Sequence, residues 1–420
     1  MLDIKFIRGN LETVKKAAEN KNRTVDWEKL MKLDDDRRRL IGEIERLRGE
    51  RNKSSKQTID TRQQITEKQI QEGKKLKEDI KRSEEELRKV ENEFNQLMLT
   101  VPNVPDKSVP VGKDSSENVE LRKWGEVKKL DFTPLDHITL AKKHDLVDFE
   151  RGVKVGGFRT YFLKNEAAIL EIAVLSYTFQ KLIKKGYIPL IAPSLVKEFT
   201  LFGNGQFPWG REEVYTMEKD NMYLAGTAEV PVTAYFSDEI LAEKDLPKKF
   251  VAFSPCFRRE AGSYGKDTKG LYRLHQFNKI EQVIINKAYY EGSLTLHEEL
   301  LHNSEEILQD LKLPYRVLLM CTGDMGEPQV KKYDIETWMP SRGDYGETMS
   351  DSFMGDFQTR RLNIRYKAKD GTTKFTHSLN NTAVASPRIL IAILENYQQK
   401  DGTILVPEVL REYIGKDRIG

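Results

Sequence analysis

Between Trp27 and Leu99 the apolar residues fall on a heptad seam. Leu30, Leu33, Leu40, Ile44 and Leu47 are separated by steps of three, seven, four and three, and Leu76, Ile80, Leu87, Val90, Phe94 and Leu97 by four, seven, three, four and three. Such spacing keeps a narrow apolar stripe on one side of a helix and predicts two helices zipped along it. Arg37, Arg51 and Ser83 occupy seam positions that these steps skip, and Gly42, Gly49 and Gly73 lower helix propensity, so the seam is weaker than an ideal zipper. A polar segment around Ser54 to Thr61 separates the two stretches and predicts the turn of an antiparallel hairpin. At 1.5 Å per residue a helix of about 30 residues would reach ~45 Å.

Pro102, Pro105 and Pro110 then exclude helix and Gly112 permits a bend, which predicts a linker over 101–118. Helical periodicity returns at Asn165–Gly186, Ser293–Leu311 and Ser386–Gln399. β-rich runs occur at Tyr187–Ala192, Phe250–Arg259, Leu271–Ile285, Tyr315–Cys321, Asp334–Met339 and Leu362–Tyr366. Strands follow one another rather than alternating with helices. This predicts an α+β fold, with an antiparallel sheet flanked by helices, and not a doubly wound one.

Composition narrows the function classes. A chain of 420 residues has room for two or three domains. It is 38% apolar and 32% charged, with a mean hydropathy of −0.60. No run approaches the ~18 apolar residues that cross a bilayer, and the first residues mix charges where a signal peptide is apolar. Cys256 and Cys321 are the only cysteines, which excludes a disulfide framework and a cysteine-rich zinc site and leads us to expect a cytoplasmic protein. The net charge of +3 means that any polyanion must meet local patches.

The stretch from Phe257 to Glu281 carries the densest chemistry. Side chains alternate faces along a strand, so Arg258 and Glu260 share one face, and Arg273, His275, Phe277, Lys279 and Glu281 share one face of the returning strand. Phe277 and Glu281 would stand about 13 Å apart at ~3.3 Å per residue, room for a stacked base at one end and a small amine at the other. Gly262, Gly265 and Gly270, with Lys266 and Lys269, form the loop between. The residues alone allow either this site or a solvated hairpin with a basic tip. His137, His144, His297, His302 and His377 are scattered, as surface or satisfied core histidines are.

This stretch resembles motif 2 of class II aminoacyl-tRNA synthetases. The strings Phe257-Arg-Arg-Glu-Ala-Gly-Ser and His275-Gln-Phe-Asn-Lys-Ile-Glu are similar to those of bacterial-type seryl-tRNA synthetases. Met1-Leu-Asp-Ile-Lys, the hairpin, Pro102-Asn-Val-Pro, Lys123-Trp-Gly-Glu, Asp148-Phe-Glu-Arg, Gly226-Thr-Ala-Glu, Thr322-Gly-Asp-Met-Gly and Asn380-Asn-Thr-Ala through Arg388 follow in that family's order over essentially the whole chain. The chain departs from the family pattern at Ala383 and Ala385, where the class motif is glycine-rich, at Met349, and at Asp351, where cysteine is frequent.

The resemblance implies a tRNA-binding domain over 1–100, with its arm at 27–99, and a catalytic domain over 119–420. It implies activation of L-serine with ATP to seryl-adenylate, then transfer to tRNA(Ser), and by extension tRNA(Sec). Arg258 and Arg388 would be catalytic cations. The ATP-binding set would be Arg258, Arg259, Glu260, Leu274, Phe277, Glu347, Thr348, Met349, Ser350 and Arg388, with adenine stacked on Phe277 and its amino group donating to Glu260. Glu347 and Ser350 would hold Mg²⁺, which suits hard oxygen donors. Serine would be read by Thr227, Ala228, Glu229, Arg258, Glu281, Asn380 and Thr382. Thr227 is also placed to cap a helix beginning near Glu229. Arg46, Arg48, Arg51, Lys53, Lys56 and Arg62 would meet tRNA phosphates. Pro193 at the motif 1 position implies a homodimer. A ligase acting on a carrier protein, or a coiled-coil scaffold with a relic ATP fold, are the competing readings; the first would lack the arm, and the second would have lost active-site residues.

Overall fold

The computed structural model describes residues 1–60, 67–262 and 269–420, with side chains except at 54–60, 68 and 69. The chain forms two compact units, one of Leu2–Glu19 with Arg23–Pro102, the other of Met1, Asn20–Asn22 and Asn103–Gly420.

In the smaller unit, α1 (Ile4–Gly9) and α2 (Leu11–Asn20) precede the long α3 (Trp27–Asp60) and α4 (Glu67–Leu99). Ion pairs Lys29–Glu93 at 3.1 Å, Arg39–Glu86 at 3.6 Å and Arg48–Glu84 at 2.7 Å join rising positions on α3 to falling positions on α4, so the helices are antiparallel. Leu30, Leu33, Leu40, Ile44, Leu47, Ile80 and Phe94 are buried along the seam. Leu76, Leu87, Val90 and Leu97 are half-buried, and Met98 is buried beside Leu97. The polar seam positions find partners. Arg37 lies over the Phe94 ring, 5.0 Å from its centroid, and pairs with Asp34 at 3.1 Å. Ser83 donates to Glu43 at 3.4 Å. The helix runs through Ser54–Asp60, contrary to the expected turn segment; with no Gly or Pro to stop it, polarity alone does not end a helix. Thr61 lies outside the described residues.

The larger unit is built on an eight-stranded sheet of β1 (Val119–Trp124), β2 (Ile188–Ile191), β3 (Lys248–Phe257), β4 (Gln276–Asn286), β5 (Tyr315–Leu319), β6 (Lys331–Met339), β7 (Asp344–Gly355) and β8 (His377–Ala385). The order across the sheet is β1-β5-β6-β7-β8-β4-β3-β2, and every pairing is antiparallel except β2 with β3. This is the expected α+β architecture. In this sheet three strands appear where none was expected: β1, β7 and β8. The last two are central yet carry Asp and Asn, which strands otherwise avoid, with Ser and Thr beside them, because both of their faces carry polar work. Conversely, Leu271–His275 lies outside β4, and of Leu362–Tyr366 the first three residues are the exit of a short helix, Phe357–Arg361, while Arg365 and Tyr366 do form a strand, Arg365–Lys367, in a separate three-stranded sheet.

Three helices, α5 (Asn165–Lys184), α6 (Tyr290–Asp310) and α7 (Ser386–Asn396), cover one sheet face. Leu170 and Val174 of α5, Leu300 and Leu301 of α6, and Ile389 and Ile393 of α7 join Ile280, Ile284, Ile335, Met349, Phe353 and Leu379 of the sheet in one core. The other face is left for the cavity. Among the described residues no helix is long and apolar enough to cross a membrane.

Candidate active site

Alternation along β4 sorts its side chains. Asn278 donates to Glu171 of α5 at 3.1 Å and Gln282 to the Leu300 carbonyl of α6 at 3.4 Å, so the even positions face the helices. Phe277, Lys279 and Glu281 face the other way, into a cavity of about 270 Å³. The β3–β4 register sets Cys256 opposite Phe277, Ser254 opposite Lys279 and Ala252 opposite Glu281. Small residues thus stand across from each large one and leave the cavity its volume. Arg258, two residues past Cys256, enters on the same face, with its guanidinium 5.2 Å from the Phe277 centroid.

Two bulges complete the wall. Glu347 and Ser350 are three residues apart, a spacing that in a regular strand sends them to opposite faces. In β7, however, Met349 pairs with Ile335 and Glu347 with Glu336, so Thr348 is an extra residue and both side chains return to the cavity. Thr348 is pinned, its hydroxyl 2.7 Å from that of Thr337. In β8, Glu281 of β4 pairs with Thr382 and Ile280 with Val384, which makes Ala383 the extra residue. Asn380, Thr382 and Ala385 therefore all line the cavity. Helix α7 follows directly, and Pro387 in its first turn suits a helix start. Arg388, one residue on, reaches the wall, where it pairs with Glu347 at 3.1 Å and lies 4.5 Å from the Tyr272 centroid.

The inner end is a buried charge cluster. Lys279 Nζ stands 2.5 Å from Glu281 Oε2 and donates to Thr227 Oγ1 at 2.7 Å and Thr382 Oγ1 at 3.2 Å. Burial, then the nearby Glu281 charge, pushes Glu229 up to about 7, although Gln358 donates to it at 2.7 Å. Burial also raises Glu347, but Arg388 and then Lys332 outweigh it and hold that carboxyl below its ordinary range. Asp334, opposite Ser350 in the ladder, is pushed up to about 6 by burial against the pull of Lys332. The Nδ2 of Asn380 is buried and makes no hydrogen bond among the described residues, nor does Oδ1 of Asp334. The cavity thus offers an unspent donor at one point and hard oxygen donors at another.

Most expected site residues converge. Arg258, Glu260, Leu274, Phe277, Glu281, Glu347, Ser350, Asn380, Thr382 and Arg388 line one cavity with Thr227 and Glu229. Glu260 sits in the left-handed region, φ 55°, where it turns the chain out of β3, and Arg273 donates to its carboxylate at 3.2 Å. Thr348 and Met349 border the cavity, but Thr348 is turned to Thr337 and Met349 packs into the core. Asp351 also faces the helices, 3.1 Å from His297, so neither departure from the family string reaches the Glu347 and Ser350 face. Arg259 and Ala228 are not brought to the cavity: alternation turns Arg259 outward to the Glu212 carbonyl, at 3.0 Å, and Ala228 is buried among Ala192, Val232 and Phe250. Gly265 and Lys266 lie outside the described residues. Lys279, Lys332, Gln329 and Tyr272 line the cavity without having been assigned a role from sequence. Lys279 was legible: it shares the alternating face of Phe277 and Glu281.

On the arm, Arg46 pairs with Glu50 at 2.7 Å and Arg48 with Glu84 at 2.7 Å, while Arg51 and Lys53 are exposed. Arg62 and the side chain of Lys56 lie outside the described residues.

Comparison with known proteins places this geometry. Residues 214–397 match the family model of the tRNA synthetase class II core domain (G, H, P, S and T), and residues 1–105 that of the seryl-tRNA synthetase N-terminal domain. A serine–tRNA ligase of Deinococcus radiodurans is 47% identical over 99% of this chain and 98% of that relative. The chain belongs to the seryl-tRNA synthetase family. A crystal structure of the family member from Pyrococcus horikoshii, complexed with ATP, is similar with a TM-score of 0.92 and 39% identity over 100% of this chain and 99% of that one. The cytoplasmic serine–tRNA ligase of Naegleria fowleri in complex with AMP gives 0.88 and 32%, over 100% and 98%. Every cavity residue named above falls inside the stretch matched by the family's core domain.

Proposed function

We infer that the chain is a serine–tRNA ligase that activates L-serine with ATP and transfers it to tRNA(Ser). The observation that carries this reading is the convergence of Arg258, Phe277, Glu281 and Arg388 on one cavity. In the first step the serine carboxylate attacks the α-phosphorus and pyrophosphate leaves; in the second a terminal ribose hydroxyl attacks the carbonyl carbon of the adenylate, the acyl–phosphate bond breaks, and AMP leaves. Neither step needs a protein nucleophile. The chain's work is to hold reactants in line and to neutralise charge. Arg258, a permanently charged planar fork, suits the α-phosphate and the carboxylate, and Arg388 the outer phosphate. Phe277 offers a stacking face and Glu260 an acceptor for the adenine amino group.

Glu281, Thr382 and Asn380 form the hydroxyl end. A buried donor such as Asn380 Nδ2 rejects alanine in place of serine, because it would stay unpaired. Glu347 and Ser350 are hard oxygen donors brought to one face by the Thr348 bulge, and the unpartnered Asp334 oxygen adds negative character there, a set that fits Mg²⁺. When bound, the ion would supply positive charge to the phosphates. The arm's Arg46, Arg48, Arg51, Lys53, Lys56 and Arg62 would meet the RNA mainly through its backbone. Exposed Ile188 and Ile191 on the edge strand β2 support a homodimer. Transfer to tRNA(Sec) and a cytoplasmic location complete the reading.

Charging of tRNA transcripts with radiolabelled serine tests it. A serine-specific tRNA ester is expected; label appearing on a carrier protein, or on nothing, overturns it.

A further inference from the structure

We propose that His137 is a positioning residue for the nucleotide half of the cavity, a hydrogen-bond acceptor that pins Leu271. The inference rests on the reading of the cavity as an ATP site. His137 opens the short helix His137–Lys143, 134 residues before Leu271, and is 9% exposed. The backbone N–H of Leu271 donates to His137 Nε2 at 3.2 Å. That bond assigns the tautomer: Nε2 carries the lone pair and Nδ1 the proton. Nδ1 donates to Glu395 Oε1 at 3.1 Å, and the His137 backbone N–H reaches the same oxygen at 3.0 Å. Glu395 is itself held, accepting from the Ser341 backbone N–H at 3.0 Å and the Ser341 hydroxyl at 2.9 Å. Gly270 makes the approach possible. It has φ +75°, and a Cβ there would stand 2.1 Å from Nε2.

The pin leads straight to the cavity. Leu271–His275 belongs to no strand; backbone bonds hold its far end, where the Arg258 N–H donates to the His275 carbonyl at 3.0 Å and the His275 N–H to the Arg159 carbonyl at 3.3 Å, and His137 holds its near end. Leu271 and Leu274 line the cavity, and the Tyr272 carbonyl accepts from Arg388 Nε at 3.2 Å. Arg388 and Glu395 stand near opposite ends of α7. His137 therefore ties the returning loop arm to the helix whose first turn supplies Arg388. Removing the acceptor leaves the Leu271 N–H buried without a partner and lets Tyr272 and Arg388 shift together.

Two variants separate acceptor from bulk. In His137→Gln the carboxamide can put its oxygen about where Nε2 stands, whereas in His137→Asn it reaches only about as far as Nδ1, keeping the bond to Glu395 and releasing Leu271. The readouts are KM for ATP and for serine in serine-dependent pyrophosphate exchange, and amide hydrogen exchange of the peptide spanning 269–276 in the full-length protein. We expect His137→Asn to raise KM for ATP about tenfold, with KM for serine within about twofold, and to speed exchange at Leu271, while His137→Gln stays within about threefold of wild type. Equal effects of the two variants on KM for ATP, or unchanged Leu271 exchange in His137→Asn, overturn the proposal. If the wild type shows no serine-dependent exchange, the cavity reading fails instead, and amide exchange at Leu271 still decides the pin.

Discussion

At the scale of single residues the cavity is a set of charges that cannot be removed one at a time. Arg258→Ala takes away the cation expected at the α-phosphate, and serine-dependent pyrophosphate exchange should fall by about 10²- to 10³-fold or more. Activity near wild type would remove the central assignment. Lys279 is a different case, since its ammonium touches Glu281, Thr227 and Thr382. Lys279→Met leaves Glu281 charged and buried without its partner, a destabilisation of about 3–5 kcal/mol in urea unfolding, accompanied by a raised KM for serine. Glu229 gives a pH test. Its folded-state pKa, about 7, lies above the ordinary 4.5, so the native state binds the proton more tightly. Stability from this group is therefore full below pH 4.5 and is lost as pH rises through 7. Unfolding free energy measured across that window should fall less steeply with pH in Glu229→Gln than in wild type.

At the scale of elements, alternation made one strand readable and hid two others. Period-two reasoning correctly put Phe277, Lys279 and Glu281 on one face of β4, because that strand has no interruption before Glu281. The same reasoning applied to β7 would have separated Glu347 from Ser350, and only the Thr348 bulge reunites them. No composition signal marks that bulge. Its polar neighbours serve the cavity on one face and a buried network on the other, where Gln282 donates to Asn381 at 2.8 Å and so does Ser304 at 2.6 Å. Such strands lack the apolar pattern by which strands are recognised. Thr348→Val removes the hydroxyl that seats the bulge while keeping its shape, and should cost about 1 to 2 kcal/mol in denaturant unfolding. Unchanged stability would mean that the backbone alone holds the extra residue.

At the scale of the whole molecule the chain forms two compact units, and the proposed function assigns each its own job. The hairpin's existence and antiparallel sense were legible from its seam, because heptad spacing is long-range and redundant; its turn was not, because polar residues permit helix as readily as they permit its end. Replacing the arm from Arg39 to Glu86, whose ion pair already closes the hairpin at 3.6 Å, by a short Gly-Ser linker should leave serine-dependent pyrophosphate exchange intact and abolish tRNA charging. Loss of both activities would show that the arm is needed for the cavity itself. Arg51→Ala with Lys53→Ala should flatten the salt dependence of tRNA binding by about one log-log unit for each phosphate that the arm no longer neutralises.

The two extra residues, Thr348 and Ala383, have a consequence for how this protein can change over time. A one-residue deletion at either place leaves the ladder pairs on both sides in register and turns the bulge into regular strand, with Glu347 and Ser350, or Thr382 and Ala385, still on one face; a deletion elsewhere within these strands swaps inside for outside along the rest of the strand. Gaps in alignments of related chains should therefore cluster in the connections between strands, and where one falls inside either of these strands it should fall on Thr348 or Ala383 rather than on a paired neighbour.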